Sequence, residues 1–142
     1  MTTSAVELRE ATGVKGWTVW AGWALTAVAV LVFLWSAYMK LFHTTYYVGE
    51  WTRLGFSLDT LTGVGVLELT CLALYLIPQT AVLGVALLTG YLGGAIACSF
   101  RIGDPVPAIS FQLATALFAW GGLWVRDERV RSLMPFRKDA TR

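Results

Sequence analysis

The apolar residues of this chain gather into four continuous runs, Trp17–Met39, Leu61–Ile77, Thr80–Phe100 and Ala108–Val125. As α-helices they would extend roughly 34, 25, 31 and 27 Å, so each can cross a hydrocarbon core of about 30 Å, the second and fourth with little tilt or slight local thinning. Pro78 parts the second run from the third with no charged residue between them, which predicts a tight antiparallel hairpin. The longest connection, Lys40 to Thr60, mixes apolar residues with Glu50 and Arg53 and reads as an interfacial segment lying along the outer leaflet and lidding the bundle. The predicted fold is all-α: an integral membrane four-helix transmembrane bundle over residues 17–125, with that interfacial segment between helices 1 and 2. A cytoplasmic N-terminal tail, 1–16, and a basic cytoplasmic C-terminal tail, 126–142, flank it, the last dozen residues expected to be disordered or bound to the surface. The first run exceeds a signal-peptide core, no small-x-small cleavage site follows it, and Glu7 and Glu10 interrupt a positive leader, so it reads as a retained anchor.

Composition narrows the function. At 142 residues, 56% apolar and 14% charged, the chain is shifted toward lipid and leaves no room for a soluble catalytic domain beside four spans. A net charge of +2 gives no reason to expect a nucleic-acid partner. Eight Lys and Arg fall in the two tails, against three on the other side, Lys40, Arg53 and Arg101. This bias places both termini in the cytoplasm of a multi-pass protein of the plasma (inner) membrane. Trp17, Trp20, Trp23, Trp120 and Trp124 lie toward one interface, and Trp35, Tyr38, Phe42, Tyr46, Tyr47 and Trp51 toward the other, as anchoring belts do.

The third run carries Ala86, Gly90, Gly94 and Cys98 at four-residue intervals, a stripe with little side-chain bulk. Another helix can approach closely there, and Gly63 and Gly65 of the second run are the expected facing residues; the same stripe could hold a homo- or hetero-oligomer together. Glu68 is the most informative residue, a carboxylate about 9 Å of helical rise inside the second span. At that depth it must be protonated, paired or facing a polar cavity. Gly65, Glu68, Leu72 and Tyr75 share its helical face, so the cavity it meets is otherwise apolar and suits a quinone, an isoprenoid or another lipid. The alternative is a packing ion pair with Lys40 or Arg101. Lys40, His43, Arg101, Asp104 and Gln112 all lie near the same, non-cytoplasmic end and are candidates to converge with Glu68 on one site.

With one histidine, an intrinsic haem or a transition-metal centre is not expected. Cys71 and Cys98 differ too much in depth to bridge, and no phosphate loop, nucleophile elbow or HExxH motif is present.

The order Trp35-Ser36-Ala37-Tyr38-Met39-Lys40-Leu41-Phe42, then Gly63-Val64-Gly65-Val66-Leu67-Glu68-Leu69, then Gly93-Gly94-Ala95 leading to Arg101-Ile102-Gly103-Asp104, resembles the DoxX-like family of small four-helix membrane proteins. The likeness runs from about Trp17 to Pro135, including Trp120-Gly121-Gly122-Leu123-Trp124-Val125-Arg126-Asp127. It implies a compact inner-membrane bundle, and the family's namesake is a subunit of a thiosulfate:quinone oxidoreductase. Lys40, Glu68, Arg101 and Asp104 match family positions, whereas Cys98-Ser99-Phe100 stands where many members place a histidine. The resulting expectation is a quinone- or lipid-binding membrane subunit of a redox enzyme, with Lys40 and Arg101 holding the polar head and Glu68 handling a proton. Two rivals are a non-catalytic scaffold or assembly protein, and a stand-alone lipid or isoprenoid isomerase, cyclase or hydrolase using Glu68 as acid and base.

Overall fold

A computed structural model describes residues 3–133, with side chains from Trp17 to Arg131. It contains six helices among these residues: α1 (Thr3–Leu41), α2 (Thr45–Leu54), α3 (Leu58–Leu76), α4 (Ala81–Ile102), α5 (Val106–Arg126) and α6 (Glu128–Leu133). Four stretches are long and apolar enough to cross a membrane, Val19–Leu41, Leu58–Leu76, Ala81–Ile102 and Val106–Arg126. The protein is thus an all-helical, multi-pass membrane bundle. Helix α1 runs without a break from the expected tail into the first span, and α6 takes up the start of the basic C-terminal tail; residues 134–142 lie outside the described residues.

The helices extend a little beyond the apolar runs because end residues obey capping rather than hydropathy. Helix α3 begins at Leu58, behind Ser57, and places Asp59 in its first turn, where the helix dipole favours an acid. Helix α5 starts behind Pro105 with a second proline in its first turn, a position that needs no N–H. Gly55 and Gly103 close α2 and α4 in the left-handed conformation, at φ 78° and 71°.

Contacts link α1 to α3 and α5, and α4 to α3 and α5, so the four spans form a ring with α1 opposite α4 and α3 opposite α5. Ala29, Phe33, Leu72, Tyr75, Leu88 and Leu123 are among the core residues. Helices α3 and α4 make the expected hairpin around Pro78, closed by a hydrogen bond of 2.8 Å from Thr80 Oγ1 to Leu74 O. There Gly84 lies against the backbone of Tyr75 so closely that a Cβ would overlap it. Across the ring Gly122 abuts Thr26, bringing α5 onto α1. Tyr75 ties this end together by donating to Ala119 O at 2.9 Å, while Arg126 stacks over Trp23 and Tyr75 and donates to Tyr75 O at 3.1 Å. Around the outside Leu34, Leu83, Leu113 and Leu117 are exposed, the apolar surface that a bilayer covers.

One packing expectation fails. Gly63 has no neighbour within 4 Å of a would-be Cβ, and Gly65 lies against Leu41 of α1 at 3.2 Å, so neither faces the small-residue stripe of α4. Gly90 and Gly94 of that stripe also have nothing within 4 Å, and with Cys98 they border a cavity. The close approach of α3 and α4 is set at Gly84, near the hairpin, and farther along α4 the missing side chains leave space that no helix of this chain fills.

Candidate functional site

The cavity occupies about 990 Å³ at the end of the bundle remote from the α3–α4 turn and draws its wall from α1 to α5. Most of the wall is apolar, with Leu31, Phe33, Met39, Val64, Leu92 and Phe111 among its residues. Helix α2 roofs it. Its sequence separates two faces, so that Tyr47, Trp51 and Leu54 line the cavity while Arg53 lies exposed and pairs with Glu50 at 2.8 Å. Trp51 Nε1 donates to Thr60 Oγ1 at 2.8 Å, which fastens the roof to the start of α3. The interfacial segment expected from the sequence is therefore this helix, and it does cover the bundle end.

Inside, the polar groups are built from helical spacing. Ser36 and Lys40 stand one turn apart on α1, as Val64 and Glu68 do on α3, so each pair shares a face. Gly65 lets the two helices come together, since a Cβ there would meet Leu41 at 3.2 Å and the Lys40 stem at 3.4 Å. The approach brings Lys40 Nζ to 3.0 Å from Glu68 Oε2, with the side chains only 4% and 0% exposed. Lys40 also donates to the carbonyl oxygen and the hydroxyl of Ser36, and its ammonium lies 4.5 Å from the Tyr47 ring centroid and 5.6 Å from that of Tyr91. Three acceptors thus engage the three N–H groups of the lysine. The hydroxyls of Ser36 and Tyr91 stand beside the Glu68 carboxylate. Even so, Glu68 Oε1 is buried and takes no hydrogen bond among the described residues.

On α5, Gln112 donates from Nε2 to Ser99 Oγ of α4 at 3.2 Å, and its buried Oε1 is likewise unpartnered among the described residues. Asp104 and Glu50 also line the cavity. Next to them on α2, the Tyr46 phenol is pushed up, mainly by partial burial and then by the Glu50 carboxylate.

Of the six residues expected to converge, the structure gathers Lys40, Glu68, Asp104 and Gln112 around one cavity. It does not bring in the other two. His43 sits in the α1–α2 turn at φ 47° with its Nε2 bonded to Thr62 Oγ1 at 2.8 Å, and Arg101 is exposed near the end of α4; neither lines the cavity. Sequence reading overlooked Ser36, Tyr91 and Ser99. Ser36 was signalled by its one-turn spacing from Lys40, and Tyr91 by a phenol placed mid-span, where its hydroxyl needs a polar neighbour. Tyr47 and Trp51, expected as bilayer anchors, line the cavity instead.

The DoxX-like family profile matches residues 24–122. The chain belongs to this family. The matched stretch of the DoxX-like chain contains the whole cavity wall, from Leu31 to Thr115. Comparison with curated proteins and with solved structures gives no match.

Proposed function

We propose that this DoxX-like protein binds a lipid-soluble ligand with a small polar head, of the quinone class, in the cavity beneath α2, and serves as a membrane subunit of a redox enzyme. One observation carries the reading: a dehydrated Lys40–Glu68 pair in the wall of a largely apolar cavity of about 990 Å³, with one carboxylate oxygen left without a partner. Packing alone would favour apolar side chains at such a place, because a buried ion pair stabilises a fold little or not at all relative to them. The size and the greasy lining suit a ring and the first part of a tail, and the polar end fixes its orientation. The Lys and Arg bias supports a protein of the plasma (inner) membrane with both termini in the cytoplasm and the cavity toward the other face.

The test is native mass spectrometry of the full chain released from membranes, wild type beside Gly94→Phe. A Cβ at Gly94 would have no atom within 4 Å and Gly94 lines the cavity, so phenylalanine adds bulk at the cavity wall while leaving Lys40 and Glu68 unsubstituted. A co-purifying quinone-class or other lipid, lost from Gly94→Phe while the variant stays folded, is the expected result. Wild type that carries no ligand and takes up none from a panel of quinones and isoprenoids would overturn the reading. A bound lipid that wild type converts and Glu68→Gln does not would turn the subunit into an enzyme.

A further inference from the structure

The cavity reaches the outer surface of the bundle at mid-membrane depth. Leu67 of α3 and Gly90 and Gly94 of α4 line it and are at the same time exposed, Leu67 by 53%. Leu67 lies about 14 Å of helical rise, and Gly90 about 18 Å, from the cavity end of its helix, near the middle of a hydrocarbon core of about 30 Å. The seams between neighbouring spans differ at this level. The Lys40–Glu68 pair joins α1 to α3, and the Gln112–Ser99 bond joins α5 to α4. Between α3 and α4 the backbones meet at Gly84, but a Cβ at Gly90 or Gly94 would have nothing within 4 Å, and it is the long Tyr91 side chain that carries α4 to the Glu68 carboxylate. Val64 and Leu67 form one edge of this gap and Gly90, Gly94 and Cys98 the other, each set at helical spacing. The α1–α5 seam also has residues that are both wall and surface, but these are Leu31, Trp35 and Phe111, all bulky.

We propose that the α3–α4 seam is a lateral opening to the bilayer, and that the ligand is a long-tailed amphiphile whose head sits beneath α2 while its alkyl or isoprenoid tail passes out between Leu67 and the Gly90–Gly94 edge. This rests on the ligand-binding reading above and deepens it by giving the tail a class and a path. A cavity of about 990 Å³ takes a head and the first part of such a tail, and the rest must go where apolar surface is welcome. Each methylene favours lipid over water, so the tail stays in the bilayer and the ligand slides in sideways. Entry by this route leaves α2 seated, with the Trp51–Thr60 bond intact. It also keeps the amphiphile in its membrane orientation, head toward the interface and tail toward the midplane. The glycines serve the tail as they would a neighbouring helix, by letting it lie close to the α4 backbone.

The experiment is photolabelling of the full chain in nanodiscs with two probes, a decyl-benzoquinone and a long-chain alcohol, each carrying a diazirine in the outer half of its tail. Each is run with and without an excess of the same compound lacking the diazirine, and labelled peptides are identified by mass spectrometry. The expected result is label on the peptides holding Leu67 and Gly90–Gly94 that the competitor removes, and the probe that gives it identifies the head. Competed label only elsewhere, on Leu31, Trp35 or Phe111 of the opposite seam or on Phe33 within the cavity, overturns the opening while leaving the cavity a ligand site. No competed label from either probe overturns the ligand-binding reading itself. Gly90→Phe, which narrows the seam, should weaken the tailed probe several-fold relative to the same head without a tail. Leu83→Phe, two turns away on α4 and outside the cavity, should leave that ratio at its wild-type value. An unchanged ratio in folded Gly90→Phe overturns the path.

Discussion

Removing Lys40 should cost far more than removing the pair it belongs to. At 3.0 Å the Lys40–Glu68 attraction is worth about 5 kcal/mol with an effective dielectric near 20, and taking each ion out of water costs several kcal/mol, so the intact pair contributes little net stability. Lys40→Met leaves the attraction lost and the cost in place: Glu68 stays fully buried, with Oε1 already unpartnered and Oε2 newly so. Breaking one side of a buried pair costs about 3–5 kcal/mol in soluble proteins, and insertion scales give roughly 2.5–3.5 kcal/mol for a lone acid at mid-membrane. The expected loss for Lys40→Met is therefore about 3 kcal/mol. Glu68→Leu should cost less, about 2 kcal/mol, because Lys40 keeps both Ser36 oxygens and the two tyrosine rings. The double variant should return to within about 1 kcal/mol of wild type, which is a coupling of several kcal/mol between the sites. Reversible unfolding in mixed micelles, followed by circular dichroism, measures all four corners. Additive single losses, or a Lys40→Met variant within about 0.5 kcal/mol of wild type, would refute a buried ionic pair at this position.

Gly84→Ala should destabilise by about 1–3 kcal/mol or more, because its Cβ runs into the Tyr75 backbone, while Gly90→Ala, six residues along the same helix with nothing within 4 Å, should be neutral or slightly stabilising; thermal melts of the two side by side check the contrast. Tyr75→Phe should cost about 1 kcal/mol through the lost 2.9 Å bond to Ala119 O, read by the same unfolding assay, and a loss below about 0.3 kcal/mol would mean the hydroxyl does not bridge α3 and α5. Trp51→Phe keeps the ring over the cavity but cuts the bond to Thr60, so amide exchange in α2 should speed up at least several-fold while α3 to α5 are unchanged.

The spans were legible in the sequence because a bilayer reads mean hydropathy over about 20 residues, a coarse property that survives ignorance of every contact. Their ends were off by a few residues, since Leu58-Asp59-Thr60 and Val106-Pro107 belong to helices for reasons of capping. The site was legible only in part. Depth alone marked Glu68 as exceptional and reduced its partners to Lys40 or Arg101, but a helical net gives a residue's face and not the neighbour that face meets. That choice was made by Gly65, whose missing side chain draws α1 onto α3 and leaves Arg101 outside.

The glycines of α4 show why the remainder was hidden. Gly84 and Gly90 are equally small and both lie in a long apolar helix, yet one receives the Tyr75 backbone and the other borders a cavity. A small residue records only that no side chain is tolerated or needed; whether the space goes to a neighbouring backbone or to a ligand depends on how far the next helix stands. In this bundle the helices close at the hairpin end, where Gly84 and Gly122 permit contact, and Gly90, Gly94 and Cys98 of the stripe lie where α4 borders the cavity beneath α2 instead. Gly90, Gly94 and Cys98 thus border the same space as Glu68 and Gln112, and a buried ion pair beside open volume is an arrangement that packing alone does not favour.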